Sequence, residues 1–192
     1  VATVLPYYHR FMEAFPSVEA LDQAPLDAVR NVWSGLGYYQ RAANLKKAAS
    51  VLMNRHNGKL PADYQALLGL PGVGQYTAGA VLSIAFDRRY PASDGNARRV
   101  YARLLRLTNL KAINETAEQM VSHSRPGDFN QAVMELGATV CLPGKPRCER
   151  CPLAYRCQAR SVGAFKLQLR RPTRTKAVQW PLTLAKWRSR IL

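Results

Sequence analysis

Four cysteines, and no others, fall in the seventeen-residue stretch CLPGKPRCERCPLAYRC, as Cys141, Cys148, Cys151 and Cys157. Thiols spaced C-x6-C-x2-C-x5-C can form two disulfides, hold a zinc ion, work as a redox pair or ligate an iron–sulfur cluster. Disulfide scaffolds suit short secreted chains, and 192 residues are enough to bury a core without staples. Structural zinc usually takes two close Cys pairs separated by a longer stretch. Here only Cys148 and Cys151 form a close pair. A cubane needs ligands spread around an object larger than one ion, and one compact loop-rich segment can supply them. On spacing alone, zinc and a cluster stand about level, with disulfides behind.

Two further stretches carry residues that could do chemistry. In LLGLPGVGQYTAGAVLSIAF a helix is expected to end near Leu68, LPGVG to turn tightly, and a helix of small and apolar residues to follow. Gly72 and Gly74 permit backbone angles closed to other residues. The amides of Val73, Gly74 and Gln75 are then expected to face outward at a helix N-terminus, where an anionic oxygen is favoured. Such a turn grips a phosphate without reading sequence. A lone G-x-G would be an ordinary turn between helices, but Pro71 before it and TAGA after it match the helix-hairpin-helix. In ASDGNARRV, Asp94 stands between Ser93 and Gly95 at a helix start, where a carboxylate caps the helix or stabilises developing positive charge.

The elements that must hold these residues read as helices throughout 1–160. RAANLKKAASVLMNRHNG puts Ala42, Leu45, Ala49 and Leu52 on one face and stops at Asn57-Gly58. NARRVYARLLRL turns Ala97, Val100, Leu104 and Leu107 inward and its arginines mostly elsewhere. Asn114 is expected to cap a helix through Met120, and Asp128 to cap FNQAVMELGATVC. No alternating run appears before residue 160, so the class is all-α. In WPLTLAKWRSRIL, Leu182 and Leu184 alternate with polar residues, which suggests a strand. Pro172, Pro181 and the basic run before them read as a linker.

Charge names the partner class. The chain carries 28 Lys+Arg against 12 Asp+Glu, a formal charge of +16, which favours a polyanion, with nucleic acid ahead of a membrane surface. From Ser161 to Leu192 there are eight basic residues and no acidic one; the stretch from Lys166 to Lys176 is either a solvated tail or a strand of chain that tracks DNA. No eighteen-residue apolar run is present, and no membrane is expected as a partner. VATVLPYYHRFME has no signal-peptide character. Thiols with metal-like spacing then point to a reducing intracellular compartment: bacterial cytoplasm and nucleoid, or nucleus and mitochondrion. The chain opens without Met and directly in helix-like sequence, which reads as a piece of a longer protein.

Hairpin, Asp-bearing helix start and cysteine loop, in that order, resemble the helix-hairpin-helix DNA glycosylase superfamily, which includes endonuclease III. Within it the similarity is closest to the adenine DNA glycosylases of the MutY type. It runs over residues 1 to about 160 and rests on APLDAVRNVWSGLGYYQRAANLKKAA, LPGVGQYTAGAVLS, DGNARRV and FNQAVMELGATVC. Iron–sulfur members share the same cysteine spacing, so the resemblance implies a 4Fe–4S cluster on Cys141, Cys148, Cys151 and Cys157. Four thiolates leave iron no open position for catalysis. The loop they fix carries Lys145 and Arg147, expected to meet a DNA phosphate.

The resemblance implies an enzyme, a hydrolase that removes adenine mispaired with 8-oxoguanine or guanine from double-stranded DNA, working as a monomer. Breaking a purine glycosidic bond builds positive charge on the sugar. Asp94 matches the family's essential carboxylate, Asn96 a residue that hydrogen-bonds near the sugar, and Tyr76 a position near the reaction centre. Gln131 matches the base pocket. Tyr38, in LGYYQR, matches the aromatic wedge that enters the stack when the base leaves it. A helix cap for Asp94 and core packing for the two tyrosines are the plainer alternatives. Endonuclease III relatives carry a Schiff-base Lys at the Tyr76 position, which implies a monofunctional glycosylase here.

The family's proton-donating Glu lies upstream of VATV, and its Nudix-like C-terminal domain lies beyond residue 192. The chain is therefore expected to be truncated at both ends, to lack the general acid and to be severely impaired in excision. The expected organisation is a helical core over 1–140 with the hairpin at about 63–86, a cluster loop over 141–157, a basic linker over 158–180 and the start of the C-terminal domain over 181–192. Competing readings are an endonuclease III-type glycosylase and lyase for damaged pyrimidines, and a non-catalytic cluster-bearing DNA-binding module.

Overall fold

The structure is a computed structural model that describes residues 4–166. The strand expected in WPLTLAKWRSRIL and the linker beyond Lys166 lie outside the described residues. The described residues are all-α, as expected. The order is α1 (Leu5–Ala14), α2 (Val18–Gln23), α3 (Leu26–Trp33), α4 (Gln40–His56), α5 (Tyr64–Leu68), α6 (Gln75–Ala85), α7 (Gly95–Leu104), α8 (Leu110–Met120) and α9 (Pro126–Thr139). Two 3-10 turns, Cys148–Arg150 and Ala154–Arg156, then lead into the short α10 (Gln158–Ser161).

Three apolar clusters build the core. Phe15, Leu21, Val29, Ala42 and Ala49 join α2, α3 and α4. Ala48, Leu52, Leu67, Leu70, Ala78 and Leu82 carry the packing through α5 to α6. Ala97, Tyr101, Ala102, Ile113 and Ala117 tie α7 to α8. Helix α9 packs on both α6 and α7 and so links the hairpin half to the half that begins at Asp94. Their contact is backbone-close. A Cβ on Gly127 of α9 would lie 2.7 Å from the Ser83 carbonyl oxygen of α6, and one on Gly137 of α9 2.8 Å from Asn96 of α7.

Asn57 and Gly58 stop α4 as expected, at φ 51° and 71°, with the Gly58 amide on the Leu52 carbonyl. Four details differ from the sequence expectation. Leu45 is 41% exposed, and Ala43 and Ala48 take the inner positions beside Ala42, Ala49 and Leu52. Asn109, not Asn114, caps α8, its side chain accepting the Lys111 amide. Helix α9 starts at Pro126, so Asp128 falls in its first turn and pairs with Arg125 at 2.6 Å rather than capping. Arg103 is buried, 4% exposed, because its guanidinium is used inside the protein.

Candidate functional site

Asp94 ends the Arg88–Ser93 segment and caps α7. Its Oδ1 accepts the Ala97 amide at 2.7 Å and its Oδ2 accepts Asn96 Nδ2 at 3.1 Å. The capping role is therefore real, and it also aims the carboxylate. The segment before Asp94 is pinned by Asn130 of α9, 1% exposed. Its Nδ2 donates to Ser83 Oγ and to the Tyr90 carbonyl, both at 2.9 Å, and its Oδ1 accepts the Ala92 amide at 3.1 Å. Arg89 ties the same segment to the end of α8 through the carbonyls of Glu118, Gln119 and Val121, at 3.0–3.1 Å.

Tyr76, on the first turn of α6, lies close enough to feel this carboxylate's charge. Burial, and then the Asp94 charge, push its hydroxyl above the ordinary tyrosine pKa, so it stays neutral at physiological pH. The hydroxyl lies 3.5 Å from Met134 Sδ on α9. Gln131, one turn earlier on α9, is exposed and holds only the Gly127 carbonyl, at 3.3 Å. Tyr76 is thus linked to Met134 of α9 and to the charge of Asp94, which Asn96 holds by a hydrogen bond, while no hydrogen bond among the described residues brings Gln131 to them.

The hairpin leads into α6. Gly72 takes φ +82°, and a Cβ there would sit 2.7 Å from Asn44 Cβ of α4, so both the angle and the space demand glycine. One expectation is corrected: the Val73 amide donates to the Leu70 carbonyl at 3.1 Å and is spent within the turn. Gly74 and Gln75, the N-cap and first residue of α6, keep their place at its positive end. Tyr38 stands 79% exposed at φ 51°, a costly angle for a non-glycine residue. Gly35 and Gly37, also at positive φ, form the turn before it. The Arg41 guanidinium covers its ring at 4.9 Å.

Around a second centre, Cys141, Cys148, Cys151 and Cys157 are free thiols that line one small cavity together with Arg103, Arg147 and Arg160. The Cys148 thiol is pushed above its ordinary pKa by burial and by Cys157, Cys141 and Cys151, with Arg160 pulling it back. Among the described residues no three His, Cys, Asp or Glu side chains converge closely enough to hold a single metal ion. Four soft donors around a common cavity, with cations at its wall, fit a larger polyanionic group. Lys145 and Arg147 are exposed on the connecting loop.

Two arginines that the sequence reading set aside join these centres. Arg99 donates to Asn96 Oδ1 at 2.8 Å and to the Gly137 and Cys141 carbonyls, both at 2.7 Å. Arg103 donates to the Leu142 and Pro143 carbonyls at 2.7 Å and to Phe165 at 3.1 Å, and approaches Cys141 Sγ at 3.4 Å. A continuous path thus runs from Asp94 through Asn96 and Arg99 to the cysteine loop. The sequence signal was positional: Arg99 and Arg103 stand four residues apart on one face of α7.

Residues 1–126 match the family described as HhH-GPD superfamily base excision DNA repair protein. The chain is 41% identical over 164 residues to the adenine DNA glycosylase of Buchnera aphidicola subsp. Baizongia pistaciae, covering 83% of this chain and 47% of the relative. It is 44% identical over 176 residues to the adenine DNA glycosylase of Rattus norvegicus, covering 87% and 34% respectively. The chain thus spans about a third to a half of the length of these relatives. Among solved structures it resembles a thermostable thymine-DNA glycosylase, with TM-score 0.78, 33% identity, and 83% and 76% of the two chains covered. It also resembles endonuclease III in a non-covalent complex with DNA, with TM-score 0.74, 26% identity, and 84% and 78% covered.

Proposed function

We propose that this chain, which belongs to the HhH-GPD superfamily of base excision DNA repair proteins, carries the DNA-gripping and sugar-stabilising residues of a monofunctional N-glycosylase for adenine mispaired with 8-oxoguanine or guanine, its own excision being slow without the family's general-acid Glu. The observation that carries the reading is Asp94, a carboxylate aimed by its own helix and bordered by Tyr76 rather than by an amine. The relatives named adenine DNA glycosylase support the choice of base.

In this reading duplex DNA lies along the hairpin with a phosphate on the Gly74 and Gln75 amides, Gly72 letting the backbone come close. Lys145 and Arg147 take a second phosphate. Tyr38 enters the stack as adenine leaves it, and its αL backbone holds the ring clear of the surface. Adenine settles against Gln131 on α9. As the glycosidic bond lengthens, Asp94 stabilises the positive charge on the sugar, and Asn96 holds the carboxylate oxygen that faces it. Tyr76 has no amine to capture the opened sugar, so the strand is not cut.

Cys141, Cys148, Cys151 and Cys157 would hold a 4Fe–4S cluster, which supplies a rigid mount rather than a reacting centre. Arg99 and Arg103 fix the loop by its carbonyls. By this reading residues 1–140 form the core and 141–157 the cluster loop; α10, packed on α7 with Ala159 buried, stands where the basic linker was expected to begin, and the protein acts as a monomer inside the cell.

Single-turnover assays on duplexes with adenine opposite 8-oxoguanine test the proposal. Adenine release should depend on Asp94, falling ~10²–10³-fold in Asp94→Asn, and borohydride should trap no covalent adduct. Efficient trapping, or release indifferent to Asp94→Asn, contradicts it.

A further inference from the structure

A cavity of about 430 Å³ opens between α5, the start of α6, the Arg88–Ser93 segment, α7 and α8. Its volume falls in the ~300–1,000 Å³ range of small-molecule sites. Asp94, Asn96 and Gln131 do not line it, but Tyr76 does, so the cavity adjoins the candidate site. Two of its wall residues carry buried polar atoms without a partner among the described residues, the Ser93 hydroxyl and Arg98 Nε. Ser93 is 9% exposed. Native proteins rarely leave such groups unpaired, because each gave up its hydrogen bonds to water on folding. Both can donate, and Arg98 makes no ion pair among the described residues.

The rest of the wall narrows the ligand. Arg89 is already spent on the α8 carbonyls, so Arg98 is the cation available to a ligand. Gln75 brings the positive end of the eleven-residue α6 to the same space. Tyr64 and Tyr90 supply a flat wall, their rings stacked at 5.0 Å and 5°. Glu118 also lines the cavity and opposes an anion there. Unpaired donors, the Arg98 cation and an aromatic surface ask for a ligand that is anionic at one end and planar at the other.

We propose that this cavity binds a nucleoside monophosphate unit, its phosphate accepting hydrogen bonds from Ser93 and Arg98 and its base lying against the Tyr64–Tyr90 wall. The unit comes either from a free mononucleotide or from the DNA strand gripped at Gly74 and Gln75, since Gln75 borders both places. The binding does not depend on glycosylase chemistry, and thymidine monophosphate probes it without offering the excised base.

Calorimetric titration of the iron-loaded 192-residue chain with thymidine monophosphate, thymidine and inorganic phosphate tests this. The monophosphate should saturate below about 1 mM, with the two partial ligands each at least about tenfold weaker. Arg98→Gln should weaken it about tenfold or more, the loss expected for a charge-assisted hydrogen bond. Glu118→Gln should tighten it, a gain that misfolding cannot imitate. Ser93→Ala should weaken binding without lowering the urea midpoint, since the hydroxyl has no protein partner to lose. If saturating undamaged duplex displaces the nucleotide, the strand is its natural source; if the two bind together, the free nucleotide is. No saturable binding by about 10 mM, or an affinity unchanged in both Arg98→Gln and Glu118→Gln, overturns the proposal.

Discussion

Asn130 does at residue scale what a whole loop would otherwise do. One buried amide satisfies Ser83, Tyr90 and Ala92, and so sets the segment that delivers Asp94. Asn130→Ala would strand the Ala92 amide and the Tyr90 carbonyl in the interior, so urea unfolding should show a loss of about 3 kcal/mol. A change below about 0.5 kcal/mol, the usual range of surface substitutions, would show that the segment holds itself. Tyr101 carries a pH prediction. Burial pushes its hydroxyl to about 12 from an ordinary 10.0, so the folded state holds the proton more tightly than the unfolded one. The resulting stability is present in full below pH 10 and lost as pH rises towards 12, by about 2–3 kcal/mol. Tyr101→Phe should remove that alkaline decline, which the difference in urea midpoints between pH 8 and pH 11.5 would read.

The cysteine loop is the element with the least packing of its own. It has two single-turn 3-10 helices and little buried apolar surface, and arginines from α7 grip its carbonyls. If Lys145 and Arg147 each meet a phosphate, Lys145→Ala/Arg147→Ala should flatten the salt dependence of duplex binding by ~1–2 in log–log slope. Chelating iron from the unsubstituted protein should flatten it similarly, whereas an unchanged slope in both would place the two cations in solvent. Helix existence was legible at this scale because apolar spacing and stop signals such as Asn57-Gly58 act locally. Helix starts were less so. Asn109 and Asn114 are equally good caps by residue type, and only the packing of Ile113 and Ala117 against α7 selects the first. Arg103 escaped for the opposite reason, since its inward place is set by carbonyls some forty residues away.

For the whole molecule, the sequence located the parts and the fold brought them together. Hairpin, Asp94 and cysteine loop are spread over some 85 positions, from Gly72 to Cys157, and α9 closes the distance by packing on both α6 and α7. Spacing in the chain cannot show that closure, nor the cavity that Ser93 and Arg98 share, because both arise from contacts between remote segments. The central claim is that Asp94 confronts a positively charged sugar in gripped DNA. It is tested most directly by the affinity of the iron-loaded chain for a duplex carrying a cationic pyrrolidine abasic analogue opposite 8-oxoguanine, against the same duplex with a neutral tetrahydrofuran. The account predicts tighter binding of the cation by a factor of ~10² or more, in the range of transition-state analogues, and loss of that preference in Asp94→Asn at unchanged affinity for the neutral duplex. Equal affinities for the two duplexes, or a preference that survives Asp94→Asn, would contradict it.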